Sequence, residues 1–121
     1  MSIAVIDYGS GNLKSAAKAL ETAANNININ SKIVVTSDPK EIKQSDKIVL
    51  PGQGSFMDCY SSIKKISGLN ETLNEFVLEK KKPILGICVG MQLFAKTGYE
   101  SQETKGFGWI DAEVRKINNM N

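Results

Sequence analysis

Histidine is absent from all 121 residues. This removes the usual general base and the commonest metal ligand from this stretch of chain. The two cysteines, Cys59 and Cys88, lack metal-type spacing, so no metal site is expected. Gly9-Ser10-Gly11 has Lys14 where a dinucleotide fingerprint needs its third glycine, and no Walker-type loop occurs, so no cofactor is expected. Charge of one sign is also lacking. Fifteen basic against thirteen acidic residues leave +2, too little to argue for a nucleic-acid partner. Glu79-Lys80-Lys81-Lys82 is short and reads as a helix C-terminus, where cations suit the dipole, rather than as a polyanion site. Long hydrophobic runs are missing too. Only Ile3, Ala4, Val5 and Ile6 precede Asp7, which is neither a signal peptide nor a membrane span, and a cytoplasmic, reducing location is the default expectation. There is no repeat, low-complexity tract or linker, so residues 1–121 are expected to form one domain.

What is present is alternation of strand and helix patterns. Residues 3–6 form an apolar run of buried-strand type, and residues 7–12 a glycine-rich turn. Leu13, Ala16, Ala17, Leu20 and Ala24 then recur at helical spacing, with Asn25 and Asn26 ending the helix. Residues 32–36 and 47–50 read as strands. Ser37 or Asp38 caps a short helical turn between them, with Pro39 near its first position. Residues 56–66 read as a helix that buries Cys59 as packing. Asn70 is placed to cap another helix, with Leu73, Phe76 and Val77 inside. Residues 83–87 read as a fourth strand, 91–96 as a helix and 99–105 as a polar loop. In residues 110–117, Ile110, Ala112 and Val114 alternate with Asp111, Glu113 and Arg115, as in a strand exposed on one side. The expected fold is α/β: three layers, with a mainly parallel sheet and helices on both faces. In such sheets ligands sit beyond the carboxyl ends of the strands. Residues 8–12, residues 51–54 and Cys88 all fall on that rim.

The stretch Gly86-Ile87-Cys88-Val89-Gly90-Met91-Gln92 has the layout of a nucleophile elbow, with Cys in the serine position. Glycines two positions to either side of Cys88 clear a sharp strand-to-helix turn. The turn would expose the sulfur at a helix N-terminus, which favours thiolate. A disulfide to Cys59 would consume this nucleophile and is not expected.

These residues resemble the nucleophile motif of class I glutamine amidotransferases, a family with a flavodoxin-like fold. Met91-Gln92 makes it similar to the branch formed by glutaminase subunits of imidazole glycerol phosphate synthases. Ile3-Ala4-Val5-Ile6-Asp7-Tyr8-Gly9-Ser10-Gly11-Asn12-Leu13 is similar to that family's first strand and loop. Leu50-Pro51-Gly52-Gln53-Gly54-Ser55-Phe56 is similar to its oxyanion loop, and Gly106-Phe107-Gly108-Trp109-Ile110 to the segment after the nucleophile helix.

The resemblance implies several roles. Cys88 is the nucleophile; the backbone N–H of Val89 and the Gly52-Gln53 peptide are the oxyanion donors; Gln92 and Gly54 contact the substrate L-glutamine. Asn12 contacts a cyclase subunit in a heterodimer, with helix capping as its other role. Gln92 has the alternative of an ordinary solvent-facing helix residue, and residues 51–54 that of a plain strand-to-helix turn. Gln53 stands where family members often carry an apolar residue. The family's mechanism pairs the cysteine with a downstream His and Glu, so this chain resembles its N-terminal part, with the C-terminal part of the domain missing. The chain alone is expected to be nearly inactive in releasing ammonia for histidine biosynthesis. A non-catalytic remnant or interaction module of the same fold is the alternative. A different cysteine enzyme on a flavodoxin-like fold is a third, against which Met91-Gln92 and the N-terminal motif speak.

Overall fold

A computed structural model describes residues 1–100 and 102–117. Its elements in chain order are β1 (Ser2–Ile6), α1 (Leu13–Asn26), β2 (Lys32–Thr36), α2 (Pro39–Gln44), β3 (Lys47–Leu50), α3 (Phe56–Lys65), α4 (Leu69–Asn74, continued by a π-helical turn Glu75–Glu79), β4 (Ile84–Gly86), α5 (Val89–Gln92), β5 (Ala95–Tyr99), β6 (Glu103–Lys105) and β7 (Ile110–Arg115). Four strands form a parallel sheet in the order β2-β1-β3-β4, with Val5 opposite both Val35 and Val49, and Val49 opposite Leu85. A second sheet, β6-β5-β7, pairs β5 with β6 antiparallel and with β7 parallel.

The period of two in the strands decides which helices go where. Ala4, Ile6, Ile48 and Leu50 point to one face, where they pack with Ile42 of α2, Cys59 and Ile63 of α3, and Leu69, Leu73 and Phe76 of the α4 segment. On the other face α1 lies over β1 and β2. Its stripe of Leu13, Ala16, Ala17, Leu20 and Ala24 is half-buried, as the spacing predicts, and most of the helix is otherwise exposed. Beside Leu20 a cavity of about 180 Å³ is lined by Ile3, Val49, Pro83 and Leu85. The parallel sheet with helices on both faces agrees with the expected class.

The caps at Asn12 and Asp38 are as read, and Ser55 is a third that the sequence reading did not name. Asn12 Oδ1 accepts from Ser15 N–H at 3.2 Å, Asp38 Oδ1 from Lys40 N–H at 3.0 Å, and Ser55 Oγ from Asp58 N–H at 3.1 Å. Asn70 is not a cap. Gly68, at φ +78°, takes that position, its carbonyl accepts from Thr72 N–H, and Asn70 instead accepts from the Tyr60 hydroxyl. The lysine run follows the π-helical turn: Lys82 Nζ donates to Ser45 O at 2.9 Å and sits over the Phe76 ring.

The largest departure from the sequence expectation lies after Cys88. The helix expected over 91–96 stops at Gln92; α5 is the one turn Val89–Gln92, and Ala95 begins β5. The carbonyls that would continue the helix are claimed by a returning segment. Phe107 N–H donates to Leu93 O (2.9 Å), Ile110 N–H to Phe94 O (3.0 Å), Gly108 N–H to Ala95 O (3.1 Å) and Gly106 N–H to Lys96 O (3.0 Å). The expected polar loop over 99–105 is in part a hairpin, with Tyr99 opposite Glu103 and Thr97 opposite Lys105. Its polar residues suit an exposed edge strand. In β7 a bulge sets three steps, Ile110 to Glu113, against two, Ala95 to Thr97. That breaks the alternation, and of the expected inner residues only Val114 is half-buried while Ile110 is 54% exposed.

Aromatic packing ties the segment between β6 and β7 to α3 and α4. Phe107 and Trp109 stack at 4.1 Å, Tyr60 meets Phe107 edge-on at 5.0 Å, and Trp109 Nε1 donates to Asn74 Oδ1 at 2.8 Å. Phe56 lies between α3 and this sheet, so close that a Cβ on Gly98 would fall 2.6 Å from its ring. Phe56→Ala therefore opens a void at the joint between the two sheets. It is expected to cost about 3–5 kcal/mol in urea denaturation, against less than about 0.5 kcal/mol for exposed Lys40→Ala.

Candidate active site

The end of β4 and the end of β3 are joined by one backbone bond, Ile87 N–H to Leu50 O at 3.0 Å. One residue later the chain turns. Cys88 has φ 54° and ψ −125°, a conformation that costs a non-glycine residue about 1–3 kcal/mol. Its carbonyl accepts from Met91 N–H (3.0 Å) and Gln92 N–H (3.2 Å), which closes α5 behind it. The thiol is free and exposed. Cys88 is thus the corner residue of a strand-to-helix elbow, as the spacing of its glycines predicts.

Those glycines work by lacking Cβ atoms. A Cβ on Gly86 would collide with Met91 Cα, and one on Gly90 with Leu50 O. A Cβ on Gly52 would lie 2.7 Å from Gly90 N and 2.6 Å from the Tyr8 hydroxyl. The loop after β3 is therefore pressed directly against the elbow. Gly52, Gln53, Cys88 and Asn12 line one cavity of about 240 Å³, along with Gly11, Ser15, Pro51 and Ile87. The three sequence motifs meet there. Val89 buries its side chain in the core, and its N–H, first in α5, has no partner among the described residues. Gln92 is not among the residues lining the Cys88 cavity; it lines a separate one of about 350 Å³ with Met91, Ala95 and Ile110. Its Oε1 is buried without a partner among the described residues, unlike an ordinary solvent-facing side chain. Gly54 lines neither cavity; at φ +96° it turns the chain into the Ser55 cap.

The loop's other contacts come from residues to which the sequence reading gave no site role. The Tyr8 hydroxyl donates to Pro51 O. Gln53 N–H donates to Ser10 Oγ at 2.9 Å, and Ser10 Oγ donates to Gln53 O at 2.9 Å. Cys59, expected as packing, is indeed buried, and its thiol also donates to Gln53 O at 3.2 Å. Ser10 between two glycines is the one local signal that a small hydroxyl is wanted there; its partner lies 43 positions away. Burial, reinforced by the Cys59 thiol, pushes the Tyr8 phenol well above its ordinary value. Among the described residues no cluster of His, Cys, Asp and Glu could hold a metal ion, and no helix is long and apolar enough to cross a membrane.

A strained, exposed cysteine opposite a glycine loop rich in backbone donors is the equipment of acyl transfer. Comparison with known proteins gives the same class. The profile of the family Glutamine amidotransferase class-I matches residues 4–116, and the chain belongs to that family. It is 52% identical over 122 residues to the imidazole glycerol phosphate synthase subunit HisH of Pelagibacter ubique, a match covering 100% of this chain and 57% of that protein. It is 51% identical over 117 residues to the subunit HisH of Bradyrhizobium diazoefficiens, covering 97% of this chain and 54% of that protein. The chain thus spans little more than half the length of the curated relatives it matches.

Two outcomes follow. With iodoacetamide on the folded chain, Cys88 is expected to label at least about tenfold faster than buried Cys59, read by peptide mass spectrometry alongside circular dichroism. Equal rates, or Cys59 first, would contradict the elbow. Tyr8→Phe leaves the Pro51 carbonyl without its donor and should cost about 1–3 kcal/mol in chemical denaturation. The folded Tyr8 keeps its proton where the unfolded chain loses it near pH ~10. The unfolded state then binds fewer protons, so stability falls as pH rises past ~10. Tyr8→Phe should reduce that alkaline loss, leaving the part due to Tyr60, also raised by burial.

Proposed function

We propose that this chain carries the nucleophile half of a glutaminase subunit of imidazole glycerol phosphate synthase, acting in the cytoplasm. The observation that carries the proposal is the meeting of strained Cys88 with the Gly52-Gln53 loop in one cavity. Identity of about one half to subunits named HisH supports it. The Cys88 thiolate attacks the carboxamide carbon of L-glutamine, forming a C–S bond, and the carbonyl oxygen takes up the electron pair. The Val89 N–H points its free hydrogen at that oxyanion, and the Gly52-Gln53 peptide is the second donor. Such a donor is worth about 3–4 kcal/mol of barrier. Collapse breaks the C–N bond and expels ammonia, which takes a proton on leaving. Water then hydrolyses the thioester to glutamate and regenerates Cys88.

Gln92 is assigned to the substrate by resemblance to the family, with Gly54 shaping the loop after β3; in this structure the Gln92 Oε1 is buried and Gln92 lines a cavity separate from that of Cys88. Ammonia passes to a cyclase subunit, with Asn12 at the contact, and is used in histidine biosynthesis. No histidine lies within the 121 residues, so the group that takes the thiol proton and returns it to ammonia comes from outside them. The intact elbow speaks against the reading as a non-catalytic remnant of the same fold.

Glutamate release is the test. A polypeptide of these 121 residues, with or without a cyclase, should turn over at least about 10⁴-fold more slowly than a full-length relative. Turnover within about tenfold of the relative would show that a residue within the 121 acts as base. In a form extended to the relatives' length, Cys88→Ala should abolish release. Persistent release would remove Cys88 from the mechanism.

A further inference from the structure

We propose that Trp109 and Asn74 are positioning residues that hold the strained elbow at Cys88 in its attacking geometry, acting through the Phe94 ring; this rests on the function proposed above. A continuous line of contacts runs from α4 to the elbow. Asn74 Oδ1 accepts from Trp109 Nε1–H at 2.8 Å. The Trp109 ring lies 5.2 Å from that of Phe94, tilted by 47°. The tip of the Phe94 ring reaches Gly86, where an added Cβ would fall 2.7 Å from Phe94 Cζ. Gly86 is one arm of the elbow and Met91 the other, and no Cβ on Gly86 fits against Met91 Cα. Phe94 therefore supplies a second wall to the strand-side arm, two residues before the nucleophile.

Both ends of this strut are fixed. Asn74 closes α4 just before its π-helical turn, next to buried Leu73 and near buried Phe76. Phe94 O accepts from Ile110 N–H at 3.0 Å and Leu93 O from Phe107 N–H at 2.9 Å, so the backbone that carries Phe94 is tied to the backbone that carries Trp109. Gly108, at φ +72°, lets Phe107 and Trp109 stack at 4.1 Å, so the indole is held by a ring as well as by its hydrogen bond. A residue at φ 54° and ψ −125° keeps that conformation only where its surroundings over-determine it. Without the indole behind it, the Phe94 ring swings away from Gly86, the two arms relax, and the Cys88 backbone moves toward an ordinary conformation. The sulfur stays exposed but leaves its line of attack. Such a misplacement acts on the chemical step rather than on substrate binding.

The experiment uses a polypeptide carrying this segment at the length of its curated relatives, with two readouts: the Cys88 Cα and Cβ chemical shifts by NMR, and glutamine hydrolysis in complex with a cyclase subunit. Asn74→Leu removes the acceptor. The Cys88 shifts should then move and kcat should fall about ten- to hundredfold, with KM within about twofold of the parent. Asn74→Asp keeps an acceptor and should stay near the parent in both readouts. Tyr60→Leu weakens the same aromatic cluster at Phe107, off the line to Gly86, and should leave both readouts unchanged. Where Asn74→Leu fails to fold, Trp109→Phe, which keeps a ring beside Phe94 and loses the N–H, is judged by the same criteria. Unmoved Cys88 shifts overturn the strut, as do shifts moved equally by Tyr60→Leu. Moved shifts with an unchanged kcat also overturn the proposal, because the strut is then only structural. If the parent complex hydrolyses no glutamine, the function proposed above fails, while the shifts still decide whether Asn74 and Trp109 hold the elbow.

Discussion

The site depends on one backbone contact. Gly90 lies against the Leu50 carbonyl so closely that no Cβ fits between them, and Gly52 lies against Gly90 N. With this contact, the elbow after β4 and the loop after β3 form one wall, and Cys88 faces Gln53 across a shared cavity. The parallel register of β3 and β4 sets the height of both loops, with Leu50 opposite Gly86 and Ile87 N–H on Leu50 O. A side chain at either glycine would force the two loops apart and shift the nucleophile relative to the donor. The strain at Cys88 is sustained by the same packing: the turn behind it is closed by α5 and walled by Leu50.

On this frame the chain settles its polar groups unevenly. Among the described residues Val89 N–H and Gln92 Oε1 have no partner, while Gln53 N–H, Gln53 O and Pro51 O are all satisfied by residues from the loop after β1 and from α3. An unpaired N–H next in sequence to an exposed nucleophile suits a place where a substrate supplies the missing partner. Satisfied groups on the facing loop describe a resting arrangement. The turn at Cys88 is strained, and the facing loop is tied by Tyr8 to Pro51 O, by Ser10 to both backbone groups of Gln53 and by Cys59 to Gln53 O.

Much of this was legible in the sequence. β1 to β4 are short apolar runs whose neighbours are turn residues, and Asn12 and Asp38 cap the helices that follow. The Cys88 elbow is legible because a tight turn has local demands, met by glycines at fixed offsets. The region after Gln92 was not. Leu93, Phe94 and Ala95 continue a helical pattern, and only the N–H groups of Phe107, Gly108 and Ile110, brought back by the chain, convert it to a strand. The contacts of Ser10 and Cys59 with Gln53 were not legible either. A hydroxyl and a thiol meet there only when distant loops are stacked, and nothing in their own neighbourhoods encodes the partner. The β7 bulge likewise hides in a sequence whose alternation looks unbroken.

The central claim is that Cys88 is the atom that takes up the acyl group. The most direct measurement is peptide mass spectrometry of the protein, at the length of its curated relatives, after reaction with an electrophilic γ-ketone analogue of glutamine. The account predicts a stoichiometric adduct on the peptide containing Cys88, blocked by excess L-glutamine, with Cys59 unmodified. Labelling that glutamine does not block, or an adduct on Cys59 in place of Cys88, would contradict it.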